Sequence, residues 1–213
     1  MKMPSRTRFR LYVKLLLLLS VNFIVVFGST SWLAGIHEYK VQIYFDYELS
    51  IPLIPIMVFP YLSIFVLCIL PLFLMDEIEM KCFAKTFAVV TWIAGISFLL
   101  FPSEVGYARI VNLPQYNDIY QVIRTVASRY NLFPSLHITY TCLYLFTLLP
   151  LTKRLAMKFI LTVWGILLIS SVLLIHQHHI FDIMTGMLLA TWSYHYIYKK
   201  SLNSYALLPA TSG

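Results

Sequence analysis

Two short segments far apart in this 213-residue chain, Phe133-Pro134-Ser135-Leu136-His137 and His178-His179-Ile180-Phe181-Asp182, each place an ionisable imidazole at the edge of an apolar stretch. Such groups are costly beside hydrocarbon unless paired or wetted, so they are functional candidates by default. His178 and Asp182 are four residues apart, a spacing that on a helix stacks both on one face within hydrogen-bonding reach. A histidine backed by a carboxylate, with a second histidine elsewhere, is the kit for covalent phosphoryl transfer: a nucleophile, the group that orients it, and a proton donor for the leaving group.

The elements that must position these residues follow from composition. The chain is 60% hydrophobic and 12% charged, with a mean hydropathy of +0.78, which is too little polar surface for a soluble domain of this size. Six nearly uncharged stretches, roughly 11–33, 53–75, 86–103, 135–151, 157–175 and 181–198, approach the length needed to cross a hydrocarbon layer of ~30 Å. The second contains Pro55, Pro60 and Pro71 just after Pro52, which predicts a kinked span, because membrane helices tolerate proline. The first follows Lys2, Arg6, Arg8 and Arg10 in the manner of a signal peptide. Its apolar part is long for one and Lys14 interrupts it, so it is read as a retained helix, which brings both termini to one side.

With a cytoplasmic start, twelve of the sixteen Lys and Arg residues fall in inside segments and only Lys40, Arg109, Arg124 and Arg129 fall outside. That bias is the positive-inside rule. It accounts for the net charge of +7 without nucleic acid and makes anionic headgroups of the lipid bilayer the natural counter-charge. Cys68, Cys82 and Cys142 suggest no disulfide framework. The sequence thus predicts an all-α integral membrane six-helix bundle in one domain, 1–213, ending in a flexible tail over 201–213. The same topology brings Arg109, Ser135, His137, His176, His178, His179 and Asp182 to the extracytoplasmic interface. Asp182 is the only acidic residue after Asp118, so within that half nothing else can orient a histidine.

These motifs resemble those of the type 2 phosphatidic acid phosphatase (PAP2) superfamily of six-helix membrane phosphatases and phosphotransferases. Pro134-Ser135-Leu136-His137 is similar to its Pro-Ser-x-His motif, and His178 to Asp182 to its terminal His-x-x-x-Asp. Of its first motif, ending in Arg-Pro, only Arg109 has a counterpart. The resemblance covers a catalytic core over roughly 85–200. It implies that His178 attacks phosphorus and that Asp182 holds its tautomer. His137 then protonates the leaving alkoxide and activates the acceptor, while Arg109, Ser135 and His176 bind the phosphoryl oxygens. No metal or cofactor is implied, and the substrate is a membrane lipid phosphate.

Two basic residues of the family pattern are replaced, by Pro102 and Val172. Such loosened motifs resemble the branch holding inositol phosphorylceramide and sphingomyelin synthases, so the acceptor is either water, which is favoured here, or a lipid hydroxyl. Two other classes fit less well. A histidine-ligated iron enzyme needs more ligands than this cluster supplies, and a transporter tends to carry polar groups near the bilayer midplane, not at one interface. Oligomeric state is not legible. Cysteines substituted at Glu104 and Lys153 are expected to react with an impermeant label from opposite sides of the membrane; labelling from one side would overturn the topology and the placement of the site together.

Overall fold

A computed structural model describes residues 4–108, 113, 115–127 and 129–207. The Ser5 hydroxyl accepts the Arg8 N–H at 3.2 Å and starts α1 (Arg6–Ile36). The chain then crosses a connector holding the 3-10 turn Asp46–Ser50 and a second such turn at Pro55–Met57. The proline-rich stretch follows as three short helices, α2 (Val58–Leu62), α3 (Ile64–Leu67) and α4 (Leu70–Leu74). Pro60 and Pro71 have no N–H to continue a helix. At the first break the Ser63 hydroxyl donates to the Pro60 carbonyl at 2.6 Å and accepts the Trp164 indole N–H at 2.7 Å. The expected kink is therefore a segmented rod, pinned to a neighbouring helix.

Next comes α5 (Glu77–Leu100). It begins earlier than the apolar stretch 86–103 suggested, because Asp76 and Glu79 form a reciprocal cap: each carboxylate accepts the other's N–H, at 2.8 and 2.7 Å. Lys81 and Lys85 therefore lie on the helix rather than in a loop. A strongly amphipathic helix that hydropathy did not signal, α6 (Asn117–Val126), lies in the next connector. Its buried Tyr120 and Ile123 pack with Val58 and Ile175. Then follow α7 (Leu136–Leu151), α8 (Leu155–Leu174), α9 (Ile180–Ser193), a π-helical turn (Tyr194–Lys199) and α10 (Lys200–Ala206). Helix therefore continues into the segment read as a tail, whose residues 208–213 lie outside the described ones. No strand occurs among the described residues; Val41 and Ser103 form one isolated bridge.

Three helices, α1, α5 and α8, are long and apolar enough to cross a membrane. Only 6% of the most apolar window of α1 is buried, and Leu17, Val21, Ile24 and Trp32 are each more than half exposed. In water that surface would cost of order 25 cal/mol per Å². The core lies between α5, α7, α8 and the π-helical turn that follows α9, where Phe83, Phe87, Leu143, Leu161, Leu168 and Tyr198 meet.

One close approach positions the chemistry. α9 crosses the start of α7 at Gly186, where an added Cβ would stand 2.7 Å from the Ser135 carbonyl oxygen and 3.1 Å from the Ile138 Cβ. Beside it the Thr139 hydroxyl donates to the Gly186 carbonyl at 3.1 Å, and the Ser135 N–H donates to the Asp182 carbonyl at 3.2 Å. Gly186→Ala is expected to destabilise the fold by about 1–3 kcal/mol, the usual cost of overpacking. Gly28→Ala, whose methyl meets nothing within 4 Å, should be neutral or stabilising by up to ~1 kcal/mol, as helical Gly-to-Ala changes are. Thermal unfolding in detergent compares them, and equal shifts would contradict the close approach.

Candidate active site

The two histidine segments meet because each opens a helix. α7 starts where the fully buried Ser135 hydroxyl oxygen accepts the Ile138 N–H at 3.3 Å, a serine N-cap. Thus Ser135 caps α7, and the next residue but one, His137, projects from the first turn. The His137 ring stacks on Tyr61 of α2 at 4.3 Å, with planes 7° apart. Its Nε2 is buried without a hydrogen-bond partner.

α9 is started by Asp182, whose Oδ2 accepts the His179 N–H at 2.8 Å. The same oxygen stands 3.4 Å from Nδ1 of His178. That separation is within ion-pair range but off the hydrogen-bonding line, and Nδ1 has no hydrogen-bond partner. Catalytic contacts often loosen in this way without substrate. The His178 side chain is 12% exposed and that of Asp182 is 1% exposed, so the carboxylate is screened while the imidazole keeps an edge accessible. The Ser135 N–H donates to the Asp182 carbonyl at 3.2 Å, which sets the start of α7, with His137 in its first turn, beside the start of α9. The three residues named from spacing are therefore neighbours.

The neighbouring histidines are held differently. His176 has φ of +60°, in the left-handed region that usually belongs to glycine. It ends α8 in a Schellman turn: its N–H donates to the Leu173 carbonyl at 3.0 Å and the Gln177 N–H to the Val172 carbonyl at 2.9 Å. A side chain with φ above zero costs roughly 1–2 kcal/mol. Its ring offsets this by donating from Nε2 to the Ile51 carbonyl at 2.9 Å and stacking on Tyr107 at 3.9 Å. A carbonyl can only accept, so Nε2 carries the proton. Burial pushes the His176 pKa down.

His179 is fully buried, and both its ring nitrogens are occupied. Nε2 accepts the Gly106 N–H at 3.0 Å, which leaves the proton on Nδ1, 3.2 Å from the Glu48 carboxylate. Burial lowers its pKa, against the opposing pull of Asp182 and Glu48. Tyr44 and Tyr107 both stack on its ring at 4.5 Å. Gly106 permits this, since a Cβ there would fall 2.4 Å from the Tyr44 ring. Tyr107 is itself buried, which pushes its hydroxyl pKa well up.

Arg109 lies outside the described residues. Arg129 is engaged elsewhere, with Nε 3.6 Å from Glu104 and Nη2 donating to the Val105 carbonyl at 3.3 Å. Glu48, Tyr44, Gly106 and Tyr107 were not singled out from the sequence. The available signal was weak: Glu48 is one of three carboxylates, with Glu38 and Asp46, in the aromatic connector after α1, far in sequence from the histidines it contacts.

A search among curated proteins finds no match to this chain. Residues 55–196, from the 3-10 turn ahead of α2 into the π-helical turn beyond α9, match the profile of the PAP2 superfamily. With well over half of its length so matched, the chain belongs to the PAP2 superfamily.

Proposed function

We propose that this chain is a six-span integral membrane enzyme, with both termini cytoplasmic, that hydrolyses a phosphoester of a membrane lipid at the extracytoplasmic interface through a phosphohistidine on His178. The observation that carries the proposal is the meeting of His137, His178 and Asp182 at the starts of α7 and α9, in a chain of the PAP2 superfamily. Membrane residence is supported by α1, α5 and α8 and by their exposed apolar side chains. The other three spans are the segmented rod α2–α4, the shorter apolar α7, and α9 continued by its π-helical turn.

In this mechanism Nδ1 of His178 faces Asp182 and carries the proton, leaving Nε2 to attack phosphorus. The P–N bond forms as the P–O bond to the lipid breaks, and His137 gives its proton to the departing alkoxide, a step worth about 10²–10⁴-fold. Asp182 stabilises the charge that the His178 imidazole acquires. Water then attacks phosphorus, His137 takes back a proton, and phosphate leaves His178. Phosphate binding falls to Arg109 and the Ser135 hydroxyl; His176, whose Nε2–H is spent on Ile51, has only an acceptor at Nδ1 and joins them only in its doubly protonated form.

A second reading shares the same intermediate: transfer of a phosphoryl headgroup to the hydroxyl of a second lipid, as in the synthase branch. It is favoured by the two replaced basic residues. Val172 is fully buried in the apolar core and Pro102 is buried beside the Val41 amide, so neither position supplies a positive charge for a dianionic monoester. A diester carries only one negative charge. Purified protein given a lipid phosphate alone is expected to release inorganic phosphate. If it instead forms a new phospholipid only when a headgroup-bearing phosphodiester is paired with diacylglycerol or ceramide, with negligible free phosphate, hydrolysis is overturned in favour of transfer.

A further inference from the structure

The connector between α1 and α2 lies, up to Ile54, ahead of the matched residues 55–196, yet it is stitched into the site along its length. The Val41 N–H donates to the Pro102 carbonyl at 2.8 Å, and the Ile54 N–H donates to the Leu174 carbonyl at 2.8 Å. Between them the Ile51 carbonyl accepts from His176, Tyr44 stacks on His179, and the fully buried Glu48 reaches the start of α9. The Glu48 carboxylate is fully engaged. Oε1 accepts the Phe45 N–H at 3.0 Å, fixing its own turn, while Oε2 accepts the Ile180 N–H at 2.8 Å and lies 3.2 Å from Nδ1 of His179.

A helix start leaves its first amides without internal partners. Here two carboxylates satisfy them. Asp182 takes the His179 N–H from within the helix, and Glu48 takes the Ile180 N–H from a loop more than a hundred residues away in sequence. A buried carboxylate is costly unless its lone pairs are filled, and three donors fill these. Because Glu48 also receives the His179 side-chain proton, it immobilises both the backbone and the ring of the residue next to His178.

We infer that Glu48 is a positioning residue for the phosphoryl-transfer site: it clamps the His179–Ile180 peptide from outside the helix and, by holding His179 as the neutral Nδ1–H tautomer, leaves His178 as the reactive imidazole of the pair. The α1–α2 connector is on this account a working part of the site and not a mere link between helices. The inference rests on the phosphoryl-transfer reading above. It adds that a residue outside the family-matched segment sets the geometry of the nucleophile.

The test uses the full chain in lipid–detergent micelles, comparing wild type with Glu48→Ala and Glu48→Gln. Misplacing a reacting group by about 1 Å costs on the order of 10²-fold, so Glu48→Ala should lower kcat by about that factor with KM within about twofold. Glu48→Gln turns an amide NH2 toward either Phe45 or the His179–Ile180 pair and should lower kcat about tenfold, the worth of roughly one misplaced hydrogen bond. The second readout is 15N NMR of histidine-labelled protein. Wild-type His179, identified by the signal lost in His179→Gln, should show the Nδ1–H tautomer, and Glu48→Ala should shift both its signal and that of His178. Wild-type kcat in Glu48→Ala overturns the inference, as does a fall in kcat that only tracks the folded fraction with the His178 signal unmoved. Should Glu48→Ala not fold, Glu48→Gln decides, and wild-type turnover there overturns the inference. A wild-type chain inactive on every phosphoester would refute the phosphoryl-transfer reading instead, while the NMR arm would still test the clamp.

Discussion

Asp182 is the residue on which the rest of the site depends. Its side chain accepts the His179 N–H and stands beside Nδ1 of His178, and its main-chain carbonyl accepts the Ser135 N–H. One residue thus starts α9, faces the imidazole proposed as nucleophile, and ties that helix to the opening of α7, where His137 sits. The close approach at Gly186 follows from the same requirement, since the Ser135 to Asp182 bond can form only if the two helix starts nearly touch. At 1% exposure, the carboxylate acts through a medium in which each electrostatic contact is stronger than in water.

Around that contact the histidines divide the work. His176 turns the chain, His179 locks it, and His178 and His137 retain ring nitrogens without hydrogen-bond partners. Unpaired buried polar atoms are a liability in a purely structural core; in the proposed mechanism Nδ1 of His178 keeps its proton toward Asp182, and Nε2 of His137 is the atom left to exchange a proton with substrate. The fully paired His179 shows the alternative within one residue of the chain. Aromatic rings hold the set in place: Tyr61 under His137, and Tyr107 and Tyr44 against His179. Stacked rings orient imidazoles without competing for their protons.

What the sequence made legible was local. The four-residue spacing of His178 and Asp182 leaves the pair 3.4 Å apart, although His178 precedes α9 and makes no hydrogen bond to the carboxylate; the serine ahead of an apolar run caps α7, and the prolines of the second segment break it into short helices. Glu48 was not legible because its partners, His179 and Ile180, lie more than a hundred residues further on, and no periodicity or spacing connects them. His176 was read as a phosphate contact because the flanking basic residues are replaced; its additional backbone role was not legible, since a histidine in a left-handed turn is rarer than the glycine that usually marks one, and it emerges only with the Ile51 and Tyr107 contacts. α6 escaped because an amphipathic helix lying across a connector has too little mean hydropathy to register as an apolar stretch. The start of α5 was misplaced because a capping box of two acidic residues, Asp76 and Glu79, outweighs the lysines that follow it.

The central claim is that His178, held by Asp182 and flanked by a locked His179, carries the phosphoryl group. The most direct measurement is an alkaline quench during turnover of a substrate radiolabelled at phosphorus, followed by mapping of the labelled peptide. Phosphohistidine should appear at His178 whichever acceptor follows, and should vanish in His178→Gln. Turnover without label at His178, or label at His137 or His179 in its place, would contradict the account.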